Sequence, residues 1–364
     1  MKTFPVAILP GDGIGLEVMP LCCDLLQHMA SHFGSFGFDY IHMEAGAGCY
    51  RKTGEALPRE VLQSCRDAQA ILLGAMGLPS VRYADGTEIA PQLDLRFDMN
   101  LYAGVRPVKP MKHLPLPLRN PDNKPIDFVL IRESTEGLFA SHGKGVVHDD
   151  QYATDTMKIT RGVSERLFDF SFKLAQRRKQ KGSAGCLTCV DKANVFSSMA
   201  FFRKIFDERA LLYGDIERQY MYVDAAALNM VKQPWNMDVL VTENMFGDIL
   251  SDLGAGLMGG MGMAPSADIG DDHAVFQPCH GSAPDIVGQG VANPVAMLLS
   301  GAMMLEWLGQ RHAQPHMMEA AELIESALER VFEAPQLVPV ELGGNAGTQA
   351  IYGAVMHQLD QLSK

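Results

Sequence analysis

Short apolar runs bounded by glycine or proline alternate along the chain with longer stretches whose apolar residues recur at helical spacing. Residues 6–9, 70–73, 128–131, 187–190 and 239–241 have no polar face and read as strands buried on both sides. Segments near 15–33, 59–68, 163–180, 194–210 and 244–254 read as helices between them. This alternation predicts an α/β architecture with a largely parallel sheet. Residues 110–125 carry five prolines, which exclude a helix or a central strand and predict a surface excursion between two strands or a domain linker. Residues 254–265, dense in Gly and Met, read as a place where backbone closely approaches backbone or ligand. The most apolar stretch, 291–308, contains Asn293, Pro294, Ser300 and Glu306 and so predicts a buried helix, not a membrane span.

At 364 residues the chain is long enough for two domains or one large α/β unit. Its formal charge of −12 repels nucleic acid and anionic lipid, so neither is an expected partner. An anionic ligand would need a local knot of Arg and Lys against that trend. Seven Cys, an odd number without framework spacing, and no signal peptide ahead of Phe4-Pro5-Val6-Ala7 predict reduced thiols and a cytoplasmic protein.

Asp248 and Asp252 are four residues apart and share one helical face. Like charges at that spacing cost about a few tenths of a kcal/mol unless neutralised. No Lys or Arg lies between Lys232 and Arg311, so nothing local relieves them, whereas Mg²⁺ or Mn²⁺ does. A solvated acidic face fits the same spacing. Asp224 follows the strand-like Tyr220-Met221-Tyr222-Val223 and suits either a helix N-cap or a ligand at a strand end. The cationic knot has its own candidates. Arg96 and Arg106 flank residues 97–105, Arg132 ends an apolar run, and Lys192 lies just past another. Guanidinium forks bind carboxylates bidentately, so three of them suit a di- or tricarboxylate. Gly11-Asp12-Gly13-Ile14-Gly15 follows a strand, but position 16 is Leu, and the dinucleotide-binding glycine fingerprint is not met. Cys186 and Cys189 have a metal-like spacing but no second pair to complete a site.

Assembled, these residues resemble the isocitrate/isopropylmalate dehydrogenase family of metal-dependent β-decarboxylating dehydrogenases, over nearly the whole length and in order. Leu9-Pro10-Gly11-Asp12-Gly13-Ile14-Gly15 is similar to the family's opening, Leu95-Arg96, Val105-Arg106-Pro107 and Ile131-Arg132-Glu133 to its substrate arginines, and Val190-Asp191-Lys192-Ala193-Asn194 to its lysine segment. Val223-Asp224-Ala225 is similar to the segment carrying its partner-subunit aspartate, and residues 244–252 to its metal helix. His280-Gly281-Ser282-Ala283-Pro284-Asp285-Ile286 through Asn293-Pro294 is similar to its adenosine loop, the most specific match of the set.

The resemblance implies an isopropylmalate dehydrogenase-like fold of two interleaved α/β domains with a non-Rossmann cofactor site. Residues 1–103 and 259–364 would bind cofactor; 104–258 would carry substrate, metal and the dimer contact. It implies a homodimer in which Lys192 and Asp224 serve the neighbouring chain's site. Asp224, Asp248 and Asp252 would hold Mg²⁺ or Mn²⁺, and Arg96, Arg106 and Arg132 the substrate carboxylates, with Lys192 as the base. His280 to Ile286, Asn293 and Asn194 would contact the cofactor. NAD is favoured over NADP because a carboxylate at Asp285 accepts from ribose hydroxyls and repels a 2′-phosphate, where NADP-preferring members have Lys and Tyr at Asp285-Ile286. The implied reaction is oxidation and decarboxylation of a substituted malate.

Two departures bear on the chemistry. Phe139 stands where the family has a proton-donating Tyr, which leaves His142, Ser141 or water as donor, or weakens decarboxylation relative to oxidation. Gln92-Leu93 stands where isopropylmalate enzymes have two Leu, and Ala90 replaces the Ser of isocitrate enzymes. 3-Isopropylmalate is the first named expectation, on Leu93 and on Leu342-Gly343-Gly344-Asn345-Ala346-Gly347-Thr348; tartrate and D-malate are the alternatives, because an amide against an isopropyl group is unfavourable if dry. A non-catalytic regulatory subunit is a further alternative that Phe139 raises.

Overall fold

The computed structural model describes residues 2–120 and 122–363. Ten strands form one sheet: β1 (Lys2–Gly11), β2 (Phe36–His42), β3 (Ala70–Ala75), β4 (Ala103–Val108), β5 (Phe128–Glu133), β8 (Cys186–Asp191), β9 (Glu217–Tyr222), β10 (Val239–Thr242), β11 (Pro265–Ile269) and β12 (Ala274–Pro278). β6 (Val146–His148) and β7 (Tyr152–Thr154) form a separate hairpin. The order across the sheet is β2-β1-β3-β12-β11-β4-β5-β10-β8-β9. One half of the sheet therefore comes from the two ends of the chain, and the other half from its middle.

The five apolar runs all lie within strands. β3, β5 and β8 are buried at every position, as strands covered by helices on both faces must be. The helices fall where helical spacing predicts them: Gly15–Phe33, Arg59–Asp67, Arg161–Gln180, Ser197–Ala210 and Asn244–Leu257. The apolar stretch near residue 300 is the helix Val295–His312, sunk in the core, and among the described residues no helix is long and apolar enough to cross a membrane.

The largely parallel sheet needs a correction at its centre. β12–β11, β11–β4 and β4–β5 pair antiparallel, and only the flanks are parallel. Residues 110–125, of which Pro121 lies outside the described residues, join the antiparallel neighbours β4 and β5, so they are an excursion and not a domain linker. In 254–265 the helix continues to Leu257; beyond it, a Cβ on Gly260 would meet the Glu341 carboxylate at 2.7 Å, the close approach expected there. The glycines of the opening loop serve packing. Gly13 has φ +57°, a Cβ there would strike the Ser282 carbonyl, and Ile14 N–H donates to that same oxygen at 2.9 Å. The first βα turn is thereby bolted to the 280s loop.

Candidate active site

The antiparallel centre of the sheet opens into a cleft of about 450 Å³. Gln92, Leu93, Arg96, Arg106, Arg132, Phe139, Asp248, Asp252, His280 and Gly281 all line it. Residues separated by nearly two hundred positions thus meet because β4 and β5 end beside the helix Asn244–Leu257.

That helix begins with Glu243 as N-cap, its carboxylate accepting from Phe246 N at 2.8 Å and Met245 N at 3.1 Å. Asp248 and Asp252 then face the cleft one turn apart. Burial and the neighbouring Asp248 raise the Asp252 carboxyl above the ordinary range. No Lys or Arg of its own segment pairs with Asp248, as the sequence implies, but a distant one does. Arg132 Nη1 donates to its carboxylate from β5, and Arg132 Nε donates to Asn244 Oδ1 at 2.9 Å. Gly247 permits this approach, since a Cβ there would lie 2.6 Å from Arg132 Cγ. Burial first, and then the Arg96 charge, lower the Arg132 guanidinium to about 10. Such a crowded cationic group is relieved by an incoming anion.

Phe139 sits in a short 3-10 turn, Leu138–Ser141, with its ring centre 5.1 Å from the Arg132 guanidinium carbon. Neither side chain named as a substitute proton donor faces the cleft. Ser141 Oγ donates to Thr156 O at 2.8 Å and accepts from Thr156 N at 2.7 Å, while His142 lines a separate hollow with Lys144 and Lys158. Of the expectations stated, water as the donor and a weakened decarboxylation are left.

Lys192 and Asp224 also lie outside this cleft. Asp224 is in the first turn of the helix Val223–Lys232 but is not its N-cap, which is Tyr222. Its carboxylate accepts from Lys192 Nζ at 2.7 Å, and this bond, above all, holds the Asp224 pKa down. Among the described residues no three His, Cys, Asp or Glu side chains cluster to hold a metal within one chain. Leu228, Val231 and Ile249, on the helices bearing Asp224 and Asp248, are exposed. Asn194 is exposed in the turn after Lys192.

In the 280s loop burial lowers the His280 imidazole pKa below its ordinary value, and its Nε2 has no partner among the described residues. Ser282 Oγ donates to Gly77 O, Ala283 adopts a left-handed conformation, and Asp285 is exposed in the turn Pro284–Ile286. Asn293 Nδ2 donates to Glu341 at 2.6 Å. The sequence reading missed Asp268, Ser134, Gln277 and Cys279. The first three form a buried polar group behind or along the arginines, and no local periodicity marks them.

Relatives of the same length share this architecture. A 3-isopropylmalate/3-methylmalate dehydrogenase of Methanocaldococcus jannaschii is 41% identical over 94% of this chain and 95% of its own. A homoisocitrate dehydrogenase of the same organism is 37% identical over 97% of each. Among solved structures, isocitrate dehydrogenase from Methylococcus capsulatus superposes with a TM-score of 0.83 at 35% identity, covering 99% of both chains. A β-decarboxylating dehydrogenase from Thermococcus kodakarensis gives 0.79 at 34% identity, covering 99% of this chain and 97% of its own. Fold, cleft and relatives together define a decarboxylating hydroxy-acid dehydrogenase. The isocitrate/isopropylmalate dehydrogenase family model matches residues 5–355, and the chain belongs to that family.

Proposed function

We propose that the protein oxidises and decarboxylates a substituted malate with NAD and Mg²⁺ or Mn²⁺, as a homodimer, with 3-isopropylmalate the first substrate to test. The observation that carries this reading is the convergence of three arginines and two carboxylates on one cleft. Asp248 and Asp252 supply hard oxygen donors one turn apart, and a divalent cation would relieve the repulsion that Arg132 only partly offsets. The third donor would be the partner's Asp224, which suits its distance from the cleft and the exposed apolar residues around it. Bound there, the metal would polarise the substrate hydroxyl, and the nicotinamide would accept the hydride. Residues 1–103 and 259–364 would carry NAD, with exposed Asp285 toward the ribose, and 104–258 would form the dimer. Arg96, Arg106 and Arg132 hold and orient carboxylates, and the partner's Lys192 takes the hydroxyl proton.

Gln92 favours a second reading. Its Oε1 is buried in the cleft wall without a hydrogen-bond donor among the described residues, and an alkyl group cannot supply one. A hydroxylated side group, as in tartrate, does so; D-malate would at least avoid pressing an alkyl group on it. A panel of 3-isopropylmalate, 3-methylmalate, tartrate, D-malate and isocitrate, followed by NADH formation with Mn²⁺, tests both. The dehydrogenase reading predicts turnover of at least one of the first four. Silence across the panel would leave the regulatory-subunit reading in its place.

Phe139 adds an expected result. In the wild type, a 2-oxo diacid should build up ahead of the final keto product, with CO₂ lagging NADH. Phe139→Tyr places a phenol beside Arg132 and should close that lag, with a gain of about 10-fold or more in the decarboxylation step. Wild-type CO₂ released one for one with NADH from the first turnover would show that no donor is missing.

A further inference from the structure

We propose that Asp268, which no reading of the family site uses here, is a positioning residue that orients Arg96 and sets the net charge of the substrate site. The inference rests on the arginines being the carboxylate-binding groups. Asp268 lies on β11, 1% exposed, behind the cleft wall and not in it. Arg96 Nε donates to one of its oxygens at 2.9 Å and Arg106 Nη2 to the other at 3.1 Å. Ser134 Oγ at 3.2 Å and Gln277 Nε2 at 2.9 Å complete four donors around one carboxylate. Its register partner on β4 is Gly104, where a Cβ would come within 3.0 Å of the Asp268 carboxylate and 2.6 Å of Ser134 Oγ. The sheet therefore leaves room for this acid. Burial alone would raise its pKa, but Arg106, Arg96 and Arg132 outweigh that and hold it at about 2, so it is charged at any working pH.

Two consequences follow from the geometry. Arg106 spends Nη1 on the carbonyls of Val105 and Ala267 and is largely committed to the fold. Arg96 is tethered only through Nε. Among the described residues its two terminal nitrogens have no protein acceptor, so a bidentate fork is left facing the cleft. The second consequence concerns charge. Asp268 offsets one of the three guanidinium charges of a site that Asp248 and Asp252 also line, so removing its charge favours a triacid over a diacid.

Non-reactive diacid and triacid probes test this without needing the true substrate. Succinate and tricarballylate binding would be measured by calorimetry on the intact wild type and on Asp268→Asn. The variant should loosen the Arg96 fork and add one positive charge, shifting the ratio of the two dissociation constants about 10-fold or more toward tricarballylate. Asp268→Glu, which keeps the charge, should hold the ratio near wild type. A merely structural role weakens both probes alike, and a ratio within about twofold of wild type would overturn the proposal. Asp268→Ser leaves space for water and reads the same ratio if the Asn variant does not fold. Should the wild type bind the probes but oxidise no malate, the dehydrogenase reading fails while the Asp268 inference is still tested.

Discussion

Lys192→Met is expected to lower kcat by about 10²–10⁴-fold while leaving NAD binding intact, since in the proposed mechanism it removes the group that takes the hydroxyl proton. The effect should also be transferable between chains. Lys192 is bonded to Asp224 and lies outside the cleft formed by Asp248, Asp252 and the arginines of its own chain. If it serves a partner's site, an inactive Lys192→Met chain and an inactive Asp252→Asn chain complement each other. A hybrid dimer then contains one site with an intact lysine and an intact acid pair. Equal mixing with free exchange should restore about one quarter of wild-type activity. If the lysine acts within its own chain, both sites of the hybrid are damaged, and no activity returns on mixing. Near-normal turnover by Lys192→Met alone would remove the residue from the mechanism.

Asp252→Asn should pull activity and stability in opposite directions. Asp252 and Asp248 face the cleft one turn apart, and burial together with Asp248 already raises the Asp252 carboxyl. Removing one of the two carboxylates should weaken Mn²⁺ binding and cut turnover by about 100-fold at fixed metal. Without metal, the variant loses a like-charge pair, so its Tm should be unchanged or higher by about 1 °C. The check is a pair of melting curves with and without Mn²⁺. A variant stabilised by Mn²⁺ as much as the wild type would mean that the metal binds elsewhere.

The two classes of strand differ in how well they could be read. β3, β5, β8 and β10 are continuous apolar runs because helices cover both their faces, and each was visible in the sequence. β4, β11 and β12 were not, although they are equally buried over most of their length. They carry Gly104 and Arg106, Ser266 and Asp268, and Gln277, and each contains a proline. Those residues break the apolar pattern because they line the cleft or support the side chains that do. Local rules fail there for the same reason that function resides there.

Sequence alone determined what single elements contain: the strands without a polar face, the acid pair on one helical face, the failed glycine fingerprint and Arg132 near the end of its strand; Arg96, expected at a strand end, is in the helix Pro91–Asp98, and Arg106 lies inside β4. Periods of two and 3.6 residues carry that information over a few turns or pleats. Only the tertiary structure decided which charges meet. Arg132 reaches Asp248 across 116 positions, and Arg96 reaches Asp268 across 172. It also decided that Lys192 and Asp224 stand apart from the cleft and that Ser141 is held by Thr156. These pairings depend on strand order and on the antiparallel register of β11 against β4, which no periodicity within one segment encodes.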